Sequence, residues 1–100
     1  MGKPIAYIGC STSGHGPCNP PSTIKTSGGH KKVYVNKILV ATKGALAVTH
    51  GCKDDPPHQD VVTKGSKTVT ISGKWVARQG DQLDRKSTIT SGFKNVTVGG

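Results

Sequence analysis

The stretch WVARQGD at residues 75–81 recurs twice in weaker form, as PIAYIG at residues 4–9 and LVATKG at residues 39–44. Each copy places an aliphatic residue and an alanine four and three positions before a glycine. The glycines of the three copies are 35 and then 36 residues apart. Self-similarity at a period of this length indicates a chain built from structural repeats.

A second set of similarities lies upstream of two of these copies. Residues 29–44 align with residues 65–80 without a gap, and VYV at 33–35 then matches VTI at 69–71. A further fragment, GFKNVTVG at residues 92–99, repeats the first half of the same pattern. Short triplets of β-branched and aromatic residues with alternating character predict half-buried strands.

The residues between these triplets predict hairpins. Asn-Lys at 36–37 and Ser-Gly at 72–73 suit tight turns, and the strands return through residues 38–41 and 74–77. Three further strands are predicted over residues 22–26, 61–64 and 87–90. The sequence therefore predicts an all-β fold of short β-hairpin repeats about a pseudo-threefold axis.

The composition indicates a thin core. The chain has 100 residues, of which 32% are hydrophobic and 4% aromatic. A single domain, residues 1–100, is expected, and a core this poor usually needs a disulfide, a metal or a partner. Neither a signal peptide nor an apolar run approaching the roughly 20 residues of a membrane span is evident. We expect synthesis in the cytoplasm.

The net charge of +9 raises the possibility of nucleic-acid binding. The lysines are spread along the chain, however, and few aromatic residues are present for base stacking. A basic surface that faces an acidic protein or an anionic membrane explains the charge equally well. A basic zinc-binding nucleic-acid module is retained as the alternative function.

Two histidines occupy equivalent repeat positions. His15 follows Gly9 by six residues, and His50 follows Gly44 by six. A cysteine and then a Pro-Pro pair follow each histidine, and His58 closes the second loop. Threefold symmetry would bring such positions together. Three cysteines beside four histidines favour a metal site in a reducing compartment over a disulfide scaffold.

The predicted ion is Zn²⁺, although iron is left open. The predicted ligands are His15, His50, Cys52 and His58. Cys52 is placed ahead of Cys18 because it lies between two predicted ligands. Four protein ligands close the coordination sphere, which is typical of a structural site. Cys10 is expected to be a small buried residue.

No catalytic site is predicted. The chain has five acidic residues, all of them aspartates, and adjacent Asp54 and Asp55 lie in what reads as a solvated turn. A zinc hydrolase normally needs a carboxylate base beside an open metal position. We expect no enzyme and no small-molecule substrate, with a small metallo-hydrolase as the least favoured hypothesis.

The motif at residues 75–81 resembles the PAAR-x-GD signature, and GHG at 14–16 followed by PP at 20–21 is similar to the start of many PAAR-repeat proteins. The resemblance implies a sharp cone with a zinc ion near its apex, held by three histidines and a cysteine. It also implies that the wide base sits on a homotrimeric β-helical spike, one tip chain per trimer. The tip then contacts the target membrane transiently during penetration.

One departure from this pattern affects the predicted ligands. Many members carry a cysteine shortly after the last Gly-Asp, where this chain has Asp84, Arg85 and Lys86. The fourth ligand must then come from Cys52 or Cys18. We expect no fused effector domain, which favours a stand-alone phage-tail tip, with a type VI secretion system as the other setting.

Overall fold

The computed structural model describes residues 2–14, 21–29, 33–52, 55–84 and 87–99. Within these ranges the fold is all β, as predicted, and no α-helix is present. The molecule is elongated, with extents of 38 × 26 × 22 Å. No helix long and apolar enough to cross a membrane occurs in the described part of the chain.

In the described part of the chain, eight short strands associate as antiparallel pairs. The pairs are β1 (Lys3–Ile5) with β8 (Phe93–Val98), β2 (Tyr34–Val35) with β3 (Ile38–Leu39), β4 (His50–Cys52) with β5 (Asp55–His58), and β6 (Thr70–Ile71) with β7 (Lys74–Trp75).

Three of these pairs are equivalent and form what we call the hairpin ring: β2–β3, β6–β7 and β8–β1. Their registers match, because Tyr34 pairs with Leu39, Thr70 with Trp75 and Thr97 with Pro4. The first two are ordinary hairpins. The third is built from the two ends of the described chain, so β1 completes the half-repeat predicted at residues 92–99.

The two predicted hairpin turns are present. Asn36 and Lys37 have φ values of 49° and 66°, and Ser72 and Gly73 have 52° and 79°. Positive φ at both central residues is the geometry of a type I′ turn, which matches the twist of the flanking strands. The returning strands are shorter than predicted because Val40 bridges to another repeat directly after Leu39.

The repeats meet at three alanines. The Ala6 N–H donates to the Ala77 carbonyl at 3.0 Å, Ala77 to Ala41 at 2.9 Å, and Ala41 to Ala6 at 3.0 Å. This closed circuit of three backbone hydrogen bonds lies on the predicted pseudo-threefold axis, and all three alanines are 0% exposed.

A second set of backbone bonds repeats around the axis. Each motif glycine donates to the segment that returns to it; the pairs are Gly9 to Ile24 (2.9 Å), Gly44 to Val62 (2.9 Å) and Gly80 to Ile89 (2.8 Å). The φ values of the three glycines lie between 95° and 105°, a conformation that favours glycine.

The prediction of continuous strands over residues 22–26, 61–64 and 87–90 is wrong. These segments form single bridges that change partner at successive residues. Thr23 pairs with Ser11, for example, whereas Ile24 pairs with Ala47 of the next repeat. Each segment joins two repeats, so a long ladder with either one is geometrically impossible.

The core has two layers. One layer contains the three axial alanines with other buried residues of the motif loops, among them Ile24, Val62, Leu83 and Ile89. The other layer lies against the hairpin ring and contains Ile5, Val35, Val40, Val76 and Val98. Tyr7 packs against both layers.

A buried ion pair distinguishes the third repeat. The Arg78 guanidinium donates to both carboxylate oxygens of Asp81 at 3.0 Å, and the Arg78 backbone N–H donates to the same carboxylate at 2.8 Å. The two residues are 7% and 5% exposed. The second repeat has Thr42 and Ala45 at the equivalent positions, without charge.

We predict that Ala41→Leu destabilises the protein, because Ala41 is fully buried where the three backbones approach one another. Overpacking of this kind costs about 1–3 kcal/mol of unfolding free energy. Urea denaturation measures the effect, with Val48→Leu at a 41% exposed position as the control. A stability equal to that of the control would contradict close packing at the axis.

Asp81→Ala should lower the unfolding free energy by about 3–5 kcal/mol, because it leaves the buried Arg78 guanidinium uncompensated. The double variant Arg78→Thr/Asp81→Ala reproduces the residues of the second repeat and should recover most of this loss. Urea denaturation of both variants is the measurement. A double variant no more stable than Asp81→Ala would show that the repeats differ in more than this pair.

Candidate metal centre

The hairpin formed by β4 and β5 positions two of the predicted ligands. His50 lies directly opposite His58 in the antiparallel register, and the register shifts at the intervening Gly51, whose φ is 148°. Residues directly opposite on neighbouring strands have their Cβ atoms about 4.5–5.5 Å apart. This places both imidazoles over the same end of the hairpin, a strand pair that the sequence does not predict.

The two imidazoles point the same ring atom at each other. The Nε2 atoms of His50 and His58 are 2.9 Å apart, and the rings meet edge to face with centroids separated by 4.6 Å. The His58 Nδ1–H donates to the Pro56 carbonyl at 3.0 Å. Because a carbonyl can only accept, this bond leaves the Nε2 lone pair of neutral His58 directed at His50.

Asp60 completes the cluster. Its carboxylate oxygens lie 3.1 Å from His50 Nε2 and 3.2 Å from His58 Nε2. Its side chain is 1% exposed, and those of His50 and His58 are 5% and 12% exposed. The ligand atoms of the three residues all lie within 4.8 Å of one another.

The donor set fits a divalent cation. One proton on His50 Nε2 can serve only one of its two contacts, and the contact between neutral His58 Nε2 and the Asp60 carboxylate joins two lone pairs. A cation between the three groups accepts a lone pair from each of them. The separations of 2.9–3.2 Å are close to the about 3.3 Å expected between donors around tetrahedral zinc. The bond from His58 to a backbone carbonyl is the support usually given to a metal-bound imidazole.

The predicted ligands are described to different extents. His50 and His58 are brought together. His15 and Cys18 lie outside the described residues, and Cys52 lies in β4 with its side chain outside the described part of the structure.

Cys10 is 1% exposed, as its predicted buried role requires. Burial raises the pKa of its thiol, opposed by hydrogen bonding from the Tyr7 backbone N–H at 3.3 Å. The shift disfavours the thiolate form that binds metals.

The sequence reasoning missed Asp60. Its backbone carbonyl accepts from Ala47, just as the carbonyls of Ser22 and Ser87 accept from the equivalent residues of the other repeats. The triplets at residues 60–62, 22–24 and 87–89 align as DVV, STI and STI. The sequence does carry a signal for Asp60: it is an aspartate at a position where the other two repeats have serine.

A comparison with sequence models of protein families matches residues 15–91 to the PAAR motif. The match covers more than half of the chain, which therefore belongs to the PAAR-motif family of spike-tip proteins, whose fold is a β cone. PAAR proteins sit on the tip of the spike of contractile injection systems, in phage tails or type VI secretion systems. No curated protein matches the chain.

We predict that His50→Ala removes the metal and lowers the melting temperature, since binding of a structural metal contributes directly to folding. Elemental analysis measures the first effect and thermal unfolding the second. A chelator should lower the melting temperature of the wild-type protein and leave that of His50→Ala unchanged.

The control for this experiment is Val48→Ala, an exposed position two residues away, which should retain the metal. A His50→Ala protein with wild-type metal content and melting temperature would contradict the metal centre.

Proposed function

We propose that this protein is a non-enzymatic, zinc-binding tip that caps and sharpens the trimeric β-helical spike of a contractile phage tail or type VI secretion system. Residues 1–100 act as one PAAR domain, and the tip aids penetration of the target envelope. The observation that carries the proposal is the pseudo-threefold ring in a single chain, because it offers three similar surfaces to three identical subunits.

The hairpin ring supports docking on a trimer. Val33, Val69 and Val96 occupy equivalent positions, four residues after a repeat glycine, and are 40%, 42% and 36% exposed. A large apolar side chain is thus exposed at the same position in each repeat. Short strands with unpaired edges also offer backbone groups to extend a partner's sheets. Each hairpin is proposed to face one spike subunit.

The metal is proposed to hold the tip together. His50 and His58 provide two ligands, and His15 provides a third from the equivalent loop. The fourth position has two candidates, the sequence-predicted cysteine (Cys52 ahead of Cys18) and Asp60. Imidazole-rich sites with one anionic ligand suit Zn²⁺. Four protein ligands leave no open position for a substrate, so the role is structural.

The basic nucleic-acid module has one observation in its favour, a groove in which Lys43 and Lys74 flank Trp75. Lys43 Nζ, however, stands 4.8 Å above the centre of the Trp75 ring, and Lys67 Nζ is 6.0 Å from it. The single tryptophan of the chain is therefore engaged by lysines rather than open for base stacking. Salt-sensitive binding to DNA or RNA would revive this function.

We predict a complex of one tip chain with three spike subunits, measured by light scattering on the tip mixed with the trimeric spike protein of the same system. Val69→Lys should weaken this complex, because a lysine replaces an apolar contact with one subunit. Val48→Lys, at a 41% exposed valine outside the hairpin ring, is the matched control. Equal loss of binding by both variants, or by neither, would argue against docking through the hairpin ring.

A further inference from the structure

The Asp60 carboxylate is the only one in the described structure that groups with two histidines. Asp60 is 1% exposed. The chain has only five acidic residues, against 14 lysines and arginines. Burial of a carboxylate is costly unless a cation or hydrogen-bond donors compensate it. The equivalent serines, Ser22 and Ser87, do not carry that cost. Asp60 therefore departs from the repeat pattern where the imidazoles converge.

The geometry places this carboxylate at ligand distance. One oxygen lies 3.1 Å from His50 Nε2 and the other 3.2 Å from His58 Nε2. A carboxylate oxygen binds zinc at about the same distance as an imidazole nitrogen, so one ion reaches all three groups. A carboxylate also supplies the single negative charge that a thiolate would supply.

We infer that Asp60 is the fourth ligand of the metal, in place of a cysteine thiolate. The inference rests on the proposed metal-stabilised tip and specifies its anionic ligand as a carboxylate, without sulfur. A site of this kind survives oxidation of the thiols. That property suits a part assembled in a reducing cytoplasm and then exposed outside the cell.

The test uses the full chain loaded with Co²⁺ in place of Zn²⁺. Thiolate ligation of Co²⁺ gives an intense near-ultraviolet charge-transfer band, which nitrogen and oxygen ligands lack. We expect the wild-type spectrum to lack this band. The double variant Cys18→Ser/Cys52→Ser should then bind Co²⁺ and Zn²⁺ with unchanged stoichiometry and affinity.

Two substitutions of Asp60 complete the experiment. Asp60→Asn keeps the shape and removes the charge, whereas Asp60→Ser introduces the residue that the other two repeats tolerate. Each should lower zinc affinity at least about tenfold, as measured by competition with a chromophoric chelator. Asp81→Asn is the matched control, because it removes a different buried carboxylate and should lower stability but leave zinc affinity unchanged.

The outcomes separate this inference from the proposed function. Stoichiometric metal with a charge-transfer band that disappears in Cys18→Ser/Cys52→Ser would overturn the Asp60 assignment and leave the metal-stabilised tip intact. Wild-type zinc affinity in both Asp60 variants would overturn it as well. A wild-type chain that binds neither ion would overturn the metal centre itself.

Discussion

The fold depends on three alanine peptide groups that hydrogen-bond in a closed circuit. Each of Ala6, Ala41 and Ala77 donates to one neighbour and accepts from the other at 2.9–3.0 Å, with no exposure to solvent. Buried peptide groups must be paired, and a circuit of three satisfies them only if the backbones approach closely. That approach requires a small side chain at the axis. The alanine of each sequence motif is therefore the consequence of a packing constraint.

The three pairs of the hairpin ring are closed in two different ways. Two hairpins are closed by covalent turns, and the third is closed by pairing of Lys3–Ile5 with Phe93–Val98. The same repeat carries the Arg78–Asp81 ion pair, whose guanidinium also donates to the Gly99 carbonyl at 3.3 Å. This hydrogen bond links the residue after β8 to the motif at residues 75–81. It adds a contact beside the one pair of the ring whose strands are not joined by a turn.

Much of the fold was predictable because symmetry repeats its signals. The motif spacing revealed three repeats, and the residue pairs 36–37 and 72–73 revealed two turns. Strand lengths at residues 22–26 were not predictable, since β-propensity does not show that a segment changes partner after one residue. Two residues of the candidate metal centre, His50 and His58, were predictable from repeat position and loop closure. Asp60 did not, because it is conspicuous only once its equivalence to Ser22 and Ser87 is recognised.

The histidine cluster lies in the longest of the three loops. The third loop contains none of the proposed ligands, so a closed tetrahedral site must take more than one donor from a single loop. A longer loop has more residues from which to supply them. The segment from Gly44 to Asp60 spans 16 positions, against 13 from Gly9 to Ser22 and seven from Gly80 to Ser87. The longest loop forms the extra hairpin of β4 and β5, which is where two histidines and the aspartate meet.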